Sequence, residues 1–201
     1  MRIGIIGSGS VGTTIAAKLK SLGHEVRLSS RTASGDKVTF ADAAAFGELL
    51  FNCTSGAGSV EALRAAGDAN LDGKVLIDIS NPLDFSKGFP PSLTVSNTDS
   101  LGETIQRAFP KLRVVKALNT VTAAVMAEPS SVANGEHDLF ICGNEPSAKS
   151  TVTDLLRTFG WKHFVDLGDL TAARGTEGYL LLWVRMYGAL KTAQFNVHLV
   201  R

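Results

Sequence analysis

Short apolar runs alternate with apolar residues at helical spacing along most of the chain. The first run, Arg2–Ile6, is rich in β-branched residues and is followed by a glycine, which is typical of a buried parallel strand. In residues 11–22 the apolar positions follow helical spacing instead, and Gly23 supplies a stop signal. These two segments predict the first strand and the first connecting helix of a parallel sheet.

The alternation continues to the end of the sequence. Further strands are predicted at residues 25–30, 38–40, 48–54, 74–79, 113–118, 138–142, 163–167 and 195–200. Further helices are predicted at residues 59–67, 100–110, 146–160 and 171–191, and residues 83–98 are predicted to form an irregular loop. Strands joined by right-handed helical crossovers predict an α/β fold, with a doubly wound, mostly parallel sheet and a small C-terminal helix–strand element.

A glycine-rich loop lies between the first strand and the first helix. Its residues fit the pattern G-x-G-x-x-G: Gly7, Ser8, Gly9, Ser10, Val11 and Gly12. The first glycine permits the tight turn, the second lets the backbone approach a pyrophosphate, and the third allows close packing of helix on strand. The amides of Ser10 and Val11 then lie at a helix N-terminus, which favours phosphate. The loop therefore predicts a dinucleotide site.

The end of the second strand indicates which dinucleotide is bound. An NAD site normally has an acidic residue there, about 20 residues after the last glycine, to bind the ribose hydroxyls. This chain has Ser30 and Arg31 instead, and Lys37 follows close by in sequence. A guanidinium can clamp a 2′-phosphate, whereas the nearest acid, Asp36, follows a flexible turn. We therefore predict NADP(H) rather than NAD(H).

Small polar residues follow the other strands that should end at the same edge. They are Thr54, Ser55, Gly56, Asn81, Asn119 and Thr120. Such groups suit a nicotinamide ring and its carboxamide, which need close backbone approach and a few hydrogen bonds. We predict that Thr54, Ser55, Asn81, Asn119 and Thr120 contact the cofactor.

No general acid or base is evident from the sequence, so the catalytic residues are left unassigned. The four histidines fall in turns or late strands, and Lys116 is the only plausible amine. An open cleft without a proton donor suits direct hydride transfer to a planar redox carrier. Two alternatives remain open: a non-catalytic NADP(H)-binding module that senses redox state, and a small imine or hydroxyacid reductase that would need Lys116 as proton donor.

Composition excludes several kinds of partner. Lys plus Arg total 20 against 19 Asp plus Glu, so the net charge of +1 gives no footprint for nucleic acid or an anionic membrane. Cys53 and Cys142 lack metal-ligand spacing, so no metal site is predicted. Without a signal peptide or a long apolar run, the chain is predicted to be cytoplasmic, with no membrane and no nucleic-acid partner.

Three later motifs and the glycine loop together resemble the coenzyme F420-dependent NADP oxidoreductases. The later motifs are residues 77–82 (IDISNP), 115–120 (VKALNT) and 166–174 (DLGDLTAAR), and the second also resembles the reductase domain of STEAP-type metalloreductases. The resemblance implies a Rossmann-like fold and NADP-linked oxidation or reduction of the deazaflavin F420, for which FMN or FAD could substitute. It carries the NADP site over to Ser8, Gly9, Ser10, Val11, Ser30 and Arg31.

We expect two parts, an NADP-binding domain at residues 1–170 and a C-terminal helix and strand at residues 171–201. The helix is apolar nearly all round at residues 179–187, which predicts burial on more than one side. Two interpretations remain open: the helix packs on its own sheet, or, in line with the resemblance, it forms a homodimer interface that also walls the cleft of the second substrate. Arg174 and Glu177, three positions apart, are predicted to form a surface ion pair.

Overall fold

The computed structural model describes residues 1–200, and its strands and helices alternate along the chain. The strands are β1 Arg2–Ile6, β2 Glu25–Ser29, β3 Leu49–Asn52, β4 Val75–Asp78, β5 Leu83–Asp84, β6 Ser92–Leu93, β7 Arg113–Ala117, β8 Asp138–Gly143 and β9 His163–Asp166. The helices are α1 Ser10–Ser21, α2 Phe40–Phe46, α3 Ser59–Ala66, α4 Asp68–Leu71, α5 Leu101–Ala108, α6 Ala123–Ala127, α7 Pro146–Phe159 and α8 Ala173–Leu190.

Seven of the strands form one sheet in the order β2-β1-β3-β4-β7-β8-β9. All neighbours are parallel except β7 and β8, so the prediction of a mostly parallel, Rossmann-like sheet is confirmed. To pair in parallel with β7, the chain would have to return to the amino ends of the strands before β8 begins. The connection from β7 to β8 contains only the five-residue α6 and short turns, and β8 pairs with β7 in antiparallel orientation. The chain winds from β1 outward to β2 and then returns to β3, which opens a crevice at the carboxyl ends of β1 and β3.

Helices cover both faces of the sheet, and the strands are apolar on both sides for that reason. Along β3, Leu49 and Phe51 pack into the core beneath α1 and α7, whereas Leu50 packs into the core beneath α2, α3 and α5. All three side chains are almost fully buried. The continuous apolar run therefore marks a strand buried on both faces.

The predicted strand at residues 38–40 is wrong. Val38 makes one isolated bridge to Ser29, and helix α2 begins at Phe40. The Thr39 hydroxyl accepts a hydrogen bond from the Asp42 amide, which caps the new helix, so local capping prevails over a weak β pattern. The predicted loop at residues 83–98 also contains a small antiparallel pair, β5 and β6.

The predicted strand at residues 195–200 is also wrong, because this segment has no regular structure. It is tied instead to the start of β8 by individual hydrogen bonds. The Asn196 side-chain amide donates to Asp138 O at 2.8 Å, and the Leu199 backbone amide donates to the Asp138 carboxylate at 2.6 Å. The Asp138 backbone amide also donates to the Val197 carbonyl at 3.0 Å, but burial does not alternate along the segment: residues 195–197 are partly buried and residues 198–200 are exposed.

Within residues 1–200 of the single chain, helix α8 buries one face, so burial of a second side stays a prediction. Its buried residues are Ala173, Thr176, Glu177, Leu180 and Val184. Leu181, Leu182, Tyr187 and Leu190 are exposed. Within residues 1–200, no helix has both the length and the apolar character needed to cross a membrane.

Candidate functional site

The glycine loop is shaped by close packing at two of its glycines and by open space at the third. Gly7 has a φ of +107°, and a Cβ there would lie 2.8 Å from the carbonyl oxygen of Cys53. A Cβ at Gly12 would overlap the carbonyl oxygen of Gly7. A Cβ at Gly9, by contrast, would meet no protein atom within 4 Å. The fold needs the first and last glycines, whereas the middle glycine leaves space above the backbone.

Helix α1 begins directly behind this space. Gly9 is its N-cap residue, and no side chain caps the helix end, so the first amides remain available to a ligand. Uncapped amides at a helix N-terminus attract anions. The loop therefore has the form of a cradle for a phosphate group.

A cavity of about 440 Å³ opens beside the cradle at the carboxyl edge of the sheet; we call it the main cavity. Seven predicted site residues lie on its wall: Ser10, Val11, Thr54, Ser55, Asn81, Asn119 and Thr120.

Apolar side chains line the main cavity as well, among them Phe85, Met126, Leu180 and Trp183. Leu180 and Trp183 belong to α8, the helix that was expected to wall the cleft. Phe85 and Met126 were not predicted. Phe85 closely follows the Asn81-Pro82 turn, and this short separation was the available signal that it would lie over the same edge.

Two asparagines form the floor of the main cavity. The Asn81 side-chain amide donates to the Asn119 carbonyl at 2.8 Å, and the Asn119 side-chain amide donates to Asn81 Oδ1 at 3.0 Å. The Asn119 amide also donates to the carbonyl of Thr176 on α8 at 3.1 Å. The preceding residue, Leu118, has a φ of +65°, a strained conformation that aims the chain into this arrangement.

Within residues 1–200, no ionisable side chain lines the main cavity. Lys116, the predicted amine, is buried behind the wall and does not reach it. Both thiols are also outside the lining. Burial raises the pKa of the Cys53 thiol, and burial raises the pKa of Cys142 to about 12, so neither is a nucleophile near neutral pH.

A second cavity of about 410 Å³ adjoins the main cavity; we call it the adenosine-side cavity because it lies beside the end of β2. Its lining comprises Arg31, Phe40, Thr54, Ser55, Gly58, Glu61, Ala62 and Ala65. Thr54 and Ser55 line both cavities, so one elongated ligand can occupy the two together. Phe40 was missed because α2 was not predicted, and Glu61 was missed because its direction depends on how α3 packs.

Of the predicted phosphate-binding residues at this end, only Arg31 lies on the cavity wall. The Ser30 hydroxyl donates to the Thr32 carbonyl at 2.6 Å. Lys37 closes a tight turn through backbone hydrogen bonds with Ser34, and it is not among the lining residues. The structure therefore brings Arg31, but not Lys37, to the site.

Aromatic side chains gather where α8 meets the main cavity. Trp183 is stacked on Tyr187, with ring centroids 5.7 Å apart, and on Phe195, with centroids 5.2 Å apart. Within residues 1–200, the buried Nε1 of Trp183 has no hydrogen-bond partner. A buried donor without a partner is rare in folded proteins, and a ligand acceptor would satisfy it.

The predicted surface ion pair between Arg174 and Glu177 does not form. Arg174 pairs with Glu103 on α5, with an Nε–Oε2 distance of 2.9 Å. Glu177 points inward and lies 2.7 Å from the ammonium group of Lys116. The signal that could have revealed this was a single acidic residue on the buried face of an otherwise apolar helix.

Comparisons with known proteins identify relatives of the chain. A family model described as coenzyme F420-dependent NADP oxidoreductase matches residues 2–82. The crystal structure of a candidate F420-dependent NADP-reductase from Arthrobacter sp. FB24 is 47% identical, with a TM-score of 0.96, and the match covers 100% of both chains.

Two curated relatives match over part of their length. The F420-dependent NADP reductase of Methanocaldococcus jannaschii is 30% identical over 108 residues, which are 53% of this chain and 48% of that protein. Metalloreductase STEAP3 of Rattus norvegicus is 30% identical over 185 residues, which are 88% of this chain and 36% of that protein. The chain therefore spans between about a third and a half of the length of these relatives.

Proposed function

Because the chain belongs to the family of coenzyme F420-dependent NADP oxidoreductases, we propose that it transfers hydride between NADP(H) and a planar redox carrier, F420 or a flavin. The observation that carries this proposal is the main cavity, which adjoins an uncapped helix N-terminus and has no ionisable side chain on its wall among residues 1–200. When bound, NADPH supplies a hydride to the carrier, and the reduced carrier takes any further proton from solvent.

The two adjoining cavities support one pose for the cofactor. The space above Gly9 and the open amides of α1 would hold the pyrophosphate. The adenosine-side cavity would take the adenine and the 2′-phosphate, with Arg31 at its wall. In the main cavity, Asn119, Thr120 and Ser55 would orient the nicotinamide and its carboxamide.

The choice of NADP(H) over NAD(H) depends on Arg31. A charge-assisted hydrogen bond contributes about 1.5–3 kcal/mol, which corresponds to a factor of roughly 10–100 in affinity. We expect Arg31→Ala to weaken NADPH binding by that factor and to leave NADH binding unchanged. Lys37→Ala is the matched control, since Lys37 lies off the cavity wall, and it should have a smaller effect.

Titration calorimetry of both cofactors with the wild type and the two variants tests this assignment. Equal affinity of the wild type for NADPH and NADH would rule out a 2′-phosphate site at Arg31. A larger loss of NADPH affinity in Lys37→Ala than in Arg31→Ala would indicate that the 2′-phosphate binds near Lys37 rather than near Arg31.

The wall of α8 supports a planar carrier as the second substrate. Trp183 and Leu180 of α8 contribute apolar side chains to the wall of the main cavity, and Phe85 also lies on this wall. Ring carriers stack on such surfaces, and hydride transfer then requires only close positioning of the two rings. Residues 171–200 would therefore select the carrier, while residues 1–170 bind NADP(H).

Loss of NADPH absorbance at 340 nm, with F420, FMN and FAD supplied in turn, tests the carrier. Turnover with one of them supports the proposal. Tight NADPH binding without turnover by any carrier would favour the redox-sensing module, and turnover only with imines or ketoacids would favour the small reductase. Because Lys116 does not reach the main cavity, that reductase would have to take its proton from water.

We also propose a homodimer in the cytoplasm. The exposed apolar residues Leu181, Leu182, Tyr187 and Leu190 lie on α8. Exposed apolar surface often marks a protein–protein interface, and most soluble oligomers are symmetric homo-oligomers. Sedimentation analysis of the wild type and Leu182→Lys tests the assembly. A monomeric wild type at assay concentrations would contradict it.

A further inference from the structure

A buried cluster of charges connects α8 to the floor of the main cavity. The ammonium group of Lys116 lies 2.8 Å from Asp78 Oδ2 and 2.7 Å from Glu177 Oε1. These three side chains come from β4, β7 and α8, and each is at most 2% exposed. Burial opposes the charge on Lys116, but the two carboxylates outweigh burial and raise the pKa of the ammonium group.

Glu177 also binds the beginning of α5. The amide of Leu101 donates to Glu177 Oε2 at 2.7 Å, and the amide of Gly102 donates to Glu177 Oε1 at 3.0 Å. This carboxylate therefore receives hydrogen bonds from a helix N-terminus and also faces a buried cation. Its position is fixed from two sides, independently of the contact between Arg174 and Glu103.

The cluster leads directly to the asparagine floor. Lys116 donates to the carbonyl of Ser80 at 2.5 Å, and the Ser80 hydroxyl donates to Asp78 at 2.7 Å. Ser80 is followed by Asn81, whose partner Asn119 is bonded to the carbonyl of Thr176, the residue before Glu177. The start of α8 is thus linked to the Asn81–Asn119 pair by two routes.

Stability alone is a weak reason for such a cluster. Desolvation of buried charges is costly, and apolar replacement of a whole ion pair is often neutral or stabilising. A fixed arrangement of charges does, however, hold the backbone between them in one position. In this protein that backbone is the segment of residues 80–81 at the cavity floor.

We propose that Glu177 is a positioning residue for the nicotinamide half of the cofactor. Through Lys116 and Ser80 it holds the Asn81–Asn119 pair in place, so the α8 wall and the floor move as one unit. This inference rests on the proposed binding of NADP(H). No member of the cluster lines the adenosine-side cavity. A change at Glu177 should therefore weaken binding of the nicotinamide end of the cofactor and leave binding of the adenosine end unchanged.

The test compares the affinities of NADPH and of 2′,5′-ADP, which carries only the adenosine end, in wild type and Glu177→Gln. We expect NADPH to bind about three- to tenfold more weakly in the variant, the equivalent of one net hydrogen bond, with the affinity of 2′,5′-ADP unchanged within about twofold. Arg174→Met is the matched control: it breaks the other ion pair between α8 and α5 and should change neither affinity.

The outcomes separate the two proposals. Unchanged NADPH affinity in folded Glu177→Gln, or an equal loss for both ligands, overturns the positioning role. A wild type that binds neither ligand overturns the proposed function and this inference with it. If Glu177→Gln does not fold, Glu177→Asp takes its place, since it keeps the charge but is too short to contact both Lys116 and α5, and the same comparison decides.

Discussion

Replacement of the middle glycine of the loop should separate ligand binding from folding. At Gly9 the backbone has φ −71° and ψ −172°, an extended conformation that alanine adopts freely, and a Cβ meets no protein atom within 4 Å. Lower chain entropy stabilises Gly9→Ala by about 0.4–1 kcal/mol, and the poorer N-cap costs about 0.5–1 kcal/mol. The melting temperature should therefore stay within about 2 °C of the wild type.

The same methyl group would occupy the space proposed for the pyrophosphate. Loss of one charge-assisted hydrogen bond costs about 1.5–3 kcal/mol, so the dissociation constant for NADPH should rise by roughly 10–100-fold. Gly12→Ala gives the opposite result for folding. Its Cβ overlaps the backbone of Gly7, and overpacking of this kind costs about 1–3 kcal/mol, or about 2–12 °C in melting temperature.

Calorimetric titration with NADPH and thermal melting of the two variants provide the assay. Wild-type NADPH affinity in folded Gly9→Ala would refute the phosphate cradle, because the added methyl has no other atom to meet. A marked fall in the melting temperature of Gly9→Ala would show that the loop is held by contacts other than those described.

Three further predictions concern separate parts of the molecule. Lys162 and His163 lower the pKa of Glu136 to about 2, so its stabilising contribution is present above about pH 4.5 and is lost as the pH falls towards 2. The unfolding midpoints of wild type and Glu136→Gln should therefore differ at pH 7 and converge near pH 2 in denaturant titrations. A thiol reagent should label the buried Cys142 only after denaturant is added, and rapid labelling of Cys142 in the native protein would contradict its burial. Trp183→Ala should raise the KM for the carrier about tenfold without changing NADPH affinity, and an unchanged KM would place the carrier elsewhere.

Much of the sheet could be predicted because its strands are buried on both faces. Residues 49–51 are continuously apolar because helices cover both sides of the strand, and a short apolar run of this kind is typical of a central parallel strand. The two false strands lacked that support. Residues 38–40 give way to a capped helix, and residues 195–200 contact Asp138 through individual hydrogen bonds that no sequence pattern reveals.

The site was predictable as far as it follows strand ends. Thr54, Asn81 and Asn119 each come shortly after a strand, so parallel pairing alone brings them to one edge. Contacts between distant elements could not be foreseen. Glu177 lies 61 residues after Lys116 in sequence, and its inward direction depends on how α8 packs against α5.

Under the proposed function, the arrangement of the two cavities would separate the choice of cofactor from the choice of carrier. Arg31 lines the adenosine-side cavity and Gly9 is the N-cap residue of α1, whereas Trp183 and Phe85 line the main cavity only. A change at Trp183 alters the surface offered to the carrier and leaves the adenosine-side cavity intact. The Asn81–Asn119 floor would connect the cofactor site with the carrier site, because it would orient the nicotinamide and is hydrogen-bonded to α8. Hydride transfer requires close positioning of the two rings, so under the proposed function the buried charges beneath this floor would act where the positions of cofactor and carrier are both set.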